Sequence, residues 1–327
     1  MRHRGRGGSS PPTSCRRCRR PRRRLLPRDP AQHRPAAREP ACRVDLPRAR
    51  CREERGDEDG ALPRGFSSDV SGIERFAELV LEAALPYAAA VKPNLSFYEA
   101  FGSAGLASLE RIRARIPADV PVIADGKRGD IDTTSIRQSI AYFDALGVDA
   151  VTINPYVGQE ALLTYLDRLD RFAYALCRTS NPGAADLQAL RVRAAWDGDG
   201  AFSAPDEPLW ARVAREVATW GPGGTVGLVV GATATEELRA IRSIAPGLAV
   251  LVPGVGAQGG NVEPVLRFGP ATAPPAGARA GGGLLVNVSR GIANAAIGDG
   301  AAGSNSELVS RLSDVAQSWS VKLPVLP

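Results

Sequence analysis

The residues best suited to chemistry lie in one short stretch, VIADGKRGDIDTT (122–134), where Asp125, Lys127 and Asp130 fall within six positions directly after an apolar run. Burying charge at the end of a hydrophobic strand is costly unless opposite charges meet there. Residues two apart on a strand share a face, so Asp125 and Lys127 should point the same way. Lys92 closes the preceding run, AAAVKPN (88–94), and can reach the same space. A Lys–Asp–Lys row with a further Asp nearby keeps each group ionised, because an opposite charge within about 4–6 Å favours the charged form. The set reads either as a salt-bridge cap on a core or as a reactive centre. Its arrival at the ends of neighbouring strands favours the centre.

A second group lies far along the chain. PGVGAQGG (253–260) offers glycines whose backbone N–H groups can approach an anion, and Arg290, after GLLVNVS (283–289), offers a planar fork for phosphate oxygens. A glycine-rich turn alone says little, but with an Arg at the next strand end it points to a phosphorylated ligand. Absences narrow the chemistry further. Beyond residue 60 there is no His and one Cys, Cys177, so no Ser–His triad and no His/Cys metal site can be built there. Cys177 itself reads as a small core residue.

The elements that must position these groups follow a regular rhythm. Apolar, β-branched runs recur at 88–94, 121–127, 150–156, 173–179, 226–232, 248–254 and 283–289. Amphipathic stretches lie between them: SGIERFAELVLEAAL (71–85) sets Ile73, Phe76, Leu79 and Val80 on one face, and SIRQSIAYFDALG (135–147) ends on a glycine. Continuous apolar strands alternating with helices predict a parallel sheet covered by helices. Seven or eight such units predict an α/β (β/α)8 (TIM) barrel; a doubly wound sheet is the alternative, but no GxGxxG follows the first strands. The first strand is poorly represented, with ACRVDL (41–46) the one weak candidate. Residues 191–208 and 270–282 read as loop insertions.

Residues 1–62 are set apart from the barrel domain, 63–327. Residues 1–60 hold 18 Arg against 8 acids, a net +10, so with +6 for the whole chain the remainder sums to −4. The same segment holds both His, four Cys, and no Ile, Phe, Tyr or Trp. Such a composition does not bury enough apolar surface to fold alone, so it reads as disordered or as GC-rich text translated out of frame. A nucleic-acid or membrane-binding arm, a zinc site on Cys15, Cys18, Cys42 and Cys51, and a targeting peptide are weaker readings. No apolar run has the roughly 18 residues a membrane span needs, so the protein is expected to be soluble and cytoplasmic.

The motif DGKRGDI resembles the D-x-K-x-x-D-I signature of orotidine 5′-phosphate decarboxylases. AVKPN, RTSNPG, VPGVGAQGG and NVSRGI are similar to that family's other site segments, in order, over roughly 63–320. The KPN and KRGD forms resemble its longer bacterial subclass (type 2). The resemblance implies decarboxylation of orotidine 5′-phosphate to uridine 5′-phosphate in a homodimer, without metal or organic cofactor and without nucleic acid or membrane partners. It implies Lys127 as the acid that protonates C6, with Asp125 and Lys92 orienting it. Asp130, Ile131 and Thr134 would enter the partner's site, Ser180 would contact the pyrimidine, Pro253 would line the pocket, and Gln258 and Arg290 would hold the phosphate under a closing 253–260 loop. The family's first strand ends in a G-x-D-P-like turn that has no convincing copy here; Asp45 is a poor stand-in. Two rivals remain: a metal-dependent sugar-phosphate lyase of the same superfamily, and an inactive product with an RNA-binding basic arm.

Overall fold

A computed structural model describes residues 43–45, 62, 65–193, 206–256, 258–273, 283–296 and 304–324. Its main sheet has eight parallel strands: β1 (Arg43–Asp45), β2 (Ala90–Lys92), β3 (Ile123–Arg128), β4 (Ala150–Ile153), β5 (Phe172–Arg178), β6 (Val226–Val230), β7 (Ala249–Pro253) and β8 (Leu284–Val288). They pair in the order β2-β1-β8-β7-β6-β5-β4-β3. Bridges at Val91–Val122 and Asn94–Asp125 join β3 back to β2, so the sheet closes on itself as a (β/α)8 barrel and leaves no edge. All seven apolar runs became strands. The eighth is thin: three residues of the weak 41–46 candidate lie between β2 and β8, with Asp45 in register with Lys92. The rest of residues 1–62, apart from Leu62, and with it the arm, zinc and targeting readings, lies outside the described residues.

Helices α1 (Val70–Ala84), α2 (Gly102–Arg115), α3 (Asp132–Ser139), α4 (Gln159–Leu166), α5 (Leu209–Val217), α6 (Thr235–Ile244), α7 (Val262–Phe268) and α8 (Asn305–Lys322) accompany the strands. The predicted face of α1 is the buried one: Ile73, Phe76, Leu79 and Val80 all sit in the core. Asp69 caps this helix, its carboxylate accepting from the Ser71 and Gly72 N–H groups at 2.9 and 3.1 Å. α3 runs on through a π turn, Ile140–Ala145, to Gly147 at φ 70°, a left-handed residue that glycine adopts without a Cβ penalty. The 191–208 insertion is clamped at its base, where Arg191 and Val192 pair antiparallel with Pro208 and Glu207. Its tip and most of 270–282 lie outside the described residues.

Two apolar layers hold this frame. The larger lies between strands and helices. The smaller fills the barrel with one inward residue from each of six strands: Ala90, Ile123, Ala150, Tyr174, Val229 and Leu251. Inward residues recur every second position, so the next layer toward the carboxyl ends contains Lys92, Asp125, Thr152, Leu176 and Pro253. The fold therefore stacks a polar layer directly on an apolar one, at the barrel end where active sites of this architecture lie.

Candidate active site

That polar layer floors a cleft of about 240 Å³, lined among others by Lys92, Asp125, Lys127, Thr152, Ser180, Pro253, Gln258 and Arg290. The Lys92 Nζ donates to Asp125 Oδ2 at 2.5 Å and the Lys127 Nζ to Asp125 Oδ1 at 2.7 Å. The two ammoniums differ in setting: the Lys92 side chain is 5% exposed, that of Lys127 47%. Lys92 is thus a buried counter-charge, and Lys127 is the more exposed of the two lysines that line the cleft. Burial alone would raise the Asp125 pKa, but the two ammoniums beside it hold the carboxyl well below the usual carboxylate range.

Asp125 and Lys127 meet, though not as neighbours on a regular strand. Between β3 and β4 the register runs from Ala124–Val151 to Arg128–Ile153, four steps on one strand against two on the other. The surplus is a bulge holding Asp125, Gly126 and Lys127, and Lys127 lies at φ 47°, a left-handed conformation unusual for a residue with a Cβ. The expectation of simple alternation is corrected here: the bulge turns Lys127 toward the aspartate. Thr152, on β4, donates to Asp125 Oδ1 at 3.0 Å and accepts from the Lys127 N–H at 2.9 Å. Sequence reading missed it because a Thr inside AVTINP looks like an ordinary β-former; its only signal was a hydroxyl at the inward position of an apolar run.

Asp130 does not join this array within the chain. It, Ile131 and Thr134 lie outside the cleft lining. Asp130 Oδ1 instead accepts from the Ile131 N–H at 2.8 Å, and Ile131 is 62% exposed.

The far wall comes from β5, β7 and β8. The Ser180 hydroxyl donates to Gln258 Oε1 at 2.7 Å, tying the loop after β5 to the loop after β7. Within the latter, the Gly256 N–H donates to Gly260 O at 3.1 Å and the Gly259 N–H to Gly256 O at 2.8 Å, which curls the backbone into a compact turn. Trp319 of α8 backs both glycine-bearing loops: its indole N–H donates to Gly291 O at 3.3 Å, and a Cβ at either Gly256 or Gly291 would stand 3.1 Å from its ring. Ser289, which ends its apolar run beside Arg290, also lines the cleft, as do Asn94, Thr179, Asn181 and Asn287, which were not singled out from sequence. Cys177 is a core residue as expected, its thiol donating to Trp210 O at 3.2 Å and pushed up in pKa by burial. Among the described residues, no three His, Cys, Asp or Glu side chains come together as a metal donor set.

Fold and cleft together define a (β/α)8-barrel enzyme with a lysine–aspartate array on the floor of its cleft. Residues 66–304 match the family described as orotidine 5′-phosphate decarboxylase / HUMPS. An orotidine 5′-phosphate decarboxylase of Herpetosiphon aurantiacus is 42% identical over 232 residues, 71% of this chain and 79% of that protein. One from Thermomicrobium roseum is 43% identical over 234 residues, 71% of this chain and 76% of its own length. The solved structure of Leishmania donovani OMP decarboxylase superposes with a TM-score of 0.63 at 32% identity, covering 86% of this chain and 96% of that one. This chain belongs to the orotidine 5′-phosphate decarboxylase / HUMPS family.

Proposed function

We infer that this chain is a carboxy-lyase that converts orotidine 5′-phosphate to uridine 5′-phosphate and carbon dioxide in pyrimidine biosynthesis. The observation that carries the assignment of roles is the Lys92–Asp125–Lys127 array, closed at 2.5 and 2.7 Å on the cleft floor. When the bond between C6 and the carboxylate breaks, the electron pair stays on C6 in an orbital that the ring does not delocalise. Stabilisation must then come from charge already fixed where the pair develops. The Lys127 ammonium supplies that charge and then gives its proton to C6. Asp125 orients Lys127, and buried Lys92 keeps Asp125 ionised. Ser180 and Pro253 would meet the pyrimidine, and Gln258 and Arg290 the phosphate, whose binding energy can offset unfavourable contacts at the reacting end. Closure of the 253–260 loop would exclude water from that end.

The working form proposed is a homodimer. Ile131, Ile136 and Ile140 are 62, 47 and 40% exposed in and around α3, and burying them against a second copy would bring Asp130, Ile131 and Thr134 to the partner's cleft. Asp130 beside the substrate carboxylate would then disfavour the bound ground state. Neither a cofactor nor a nucleic-acid partner is part of this reading. The net charge of −4 beyond residue 60 gives the barrel no basic surplus for nucleic acid. No helix among the described residues is long and apolar enough to cross a membrane, and a soluble nucleotide substrate fits an enzyme of the cytoplasm. The catalytic unit proposed is 63–327 completed by β1. Release of carbon dioxide from orotidine 5′-phosphate, measured with and without a chelator, tests the whole: turnover indifferent to chelator is expected. Metal dependence or no turnover would overturn it.

A further inference from the structure

The bulge in β3 leaves a problem that Thr152 solves. Where two extra residues loop out of a ladder, at least one N–H loses its strand partner, and a buried unsatisfied N–H is unfavourable. The Lys127 N–H is met by the Thr152 hydroxyl at 2.9 Å. That same oxygen donates its hydrogen to Asp125 Oδ1 at 3.0 Å, and Asp125 Oδ1 accepts from the Lys127 Nζ at 2.7 Å. The three bonds form a ring that leaves the Lys127 backbone and returns to its side chain. Thr152 is 2% exposed, and its β-branched side chain has few rotamers, so the hydroxyl is held in place by packing.

We propose that Thr152 is a positioning residue for the decarboxylation, its hydroxyl locking Lys127 in the left-handed conformation that presents Nζ to the substrate C6. The proposal rests on the reaction assigned above. A hydroxyl with one hydrogen and two lone pairs can donate to the carboxylate and accept from the N–H at once, which neither a methyl nor a second carboxylate could do. The inward hydroxyl opposite the bulge ties it to the site by taking up the Lys127 N–H that the ladder leaves unpaired.

Thr152→Val keeps the shape and removes the hydroxyl; Thr152→Ser keeps the hydroxyl and removes the methyl. Carbon dioxide release by the wild type is measured first, so failure of the assigned reaction is seen separately from failure of the positioning role. With an active wild type, Thr152→Val is expected to lower kcat about a hundredfold. KM and the dissociation constant for uridine 5′-phosphate should stay within about threefold, and Thr152→Ser should recover kcat to within about threefold of wild type. A Val variant with near-normal kcat overturns the proposal. So does a loss of kcat and nucleotide affinity together that Ser does not rescue. If the Val variant does not fold, Thr152→Ala must show the same kcat-only loss; Val and Ala variants that are both unfolded assign Thr152 to the fold and overturn the positioning role.

Discussion

The two walls of the cleft are built on opposite principles. The lysine–aspartate wall stands on β2, β3 and β4, with a buried ion pair, a hydroxyl cross-link and an apolar layer beneath it. The glycine wall stands on loops after β7 and β8, held by backbone turns and by the Trp319 ring behind them. One wall fixes charge in side chains anchored on barrel strands; the other is a glycine turn whose N–H groups at 256, 259 and 260 are bonded within the loop, beside one long Arg. Fixed charge serves a transition state, where nothing has time to reorganise, whereas a loop can close on a phosphate and open again. If the comparison holds, damage to the first wall should appear in kcat and stability, and damage to the second in KM.

The largest effect expected is from Lys127→Ala, which should lower kcat by about four orders of magnitude. Binding of uridine 5′-phosphate, followed by titration calorimetry, should change less than about threefold. An equal loss of affinity would mean the walls are not separable. Next comes Asp125→Ala, which removes the carboxylate that the 5%-exposed Lys92 ammonium meets at 2.5 Å and the Lys127 ammonium at 2.7 Å. Unfolding in denaturant should show a loss of about 3–5 kcal/mol, against less than about 1 kcal/mol for Lys127→Ala, whose side chain is half in solvent.

The glycine wall should respond differently. Arg290→Ala should raise KM for orotidine 5′-phosphate about 10- to 100-fold, the worth of a charge-assisted hydrogen bond to phosphate, with kcat changed little. Gly256→Ala is a smaller perturbation. Gly256 lies at φ 77°, and the added methyl would press on Trp319 at 3.1 Å. KM should rise about fivefold, and Trp319→Leu in the same chain should change that effect, because contacting residues do not act additively. Strict additivity in steady-state kinetics would remove Trp319 from the account.

What could be read in the sequence follows the same division. Strands buried on both faces are written as unbroken apolar runs, which is why β2 to β8 were legible, and charges gathered at the ends of neighbouring runs favour a reactive centre over a salt-bridge cap, which is why Lys92, Asp125 and Lys127 stood out. A bulge leaves no mark in composition, so the geometry of Asp125 and Lys127 was read as plain alternation. Thr152 was hidden by its own β-propensity. Trp319 lies 63 residues beyond Gly256, a pairing that only the packing of α8 reveals. β1 spans three residues in a segment otherwise poor in apolar side chains, which is why ACRVDL registered only as a weak candidate. Asp130, Ile131 and Thr134 lie outside the cleft of their own chain, and the interface proposed for them needs a second copy that one chain read alone does not supply.

The smallest predicted effect is the most discriminating, because it asks whether the walls titrate apart. Asp125 has a folded pKa below its ordinary value of 3.8, since the pull of Lys92 and Lys127 outweighs the upward push of burial. The stability it contributes is therefore complete above that ordinary value and is lost only as pH falls further, toward the folded pKa. From pH 7 down to about 5, kcat should show no carboxylate ionisation from this wall. A phosphate monoester loses its second charge near pH 6, so KM should rise across about the same interval as the grip on the glycine wall weakens. Lys92→Met should join the two behaviours: without that ammonium, burial becomes less opposed, the Asp125 pKa moves up, and an acid limb enters the kcat profile. A flat kcat profile in the Lys92→Met variant would show that Lys92 does not hold Asp125 in its ionised form.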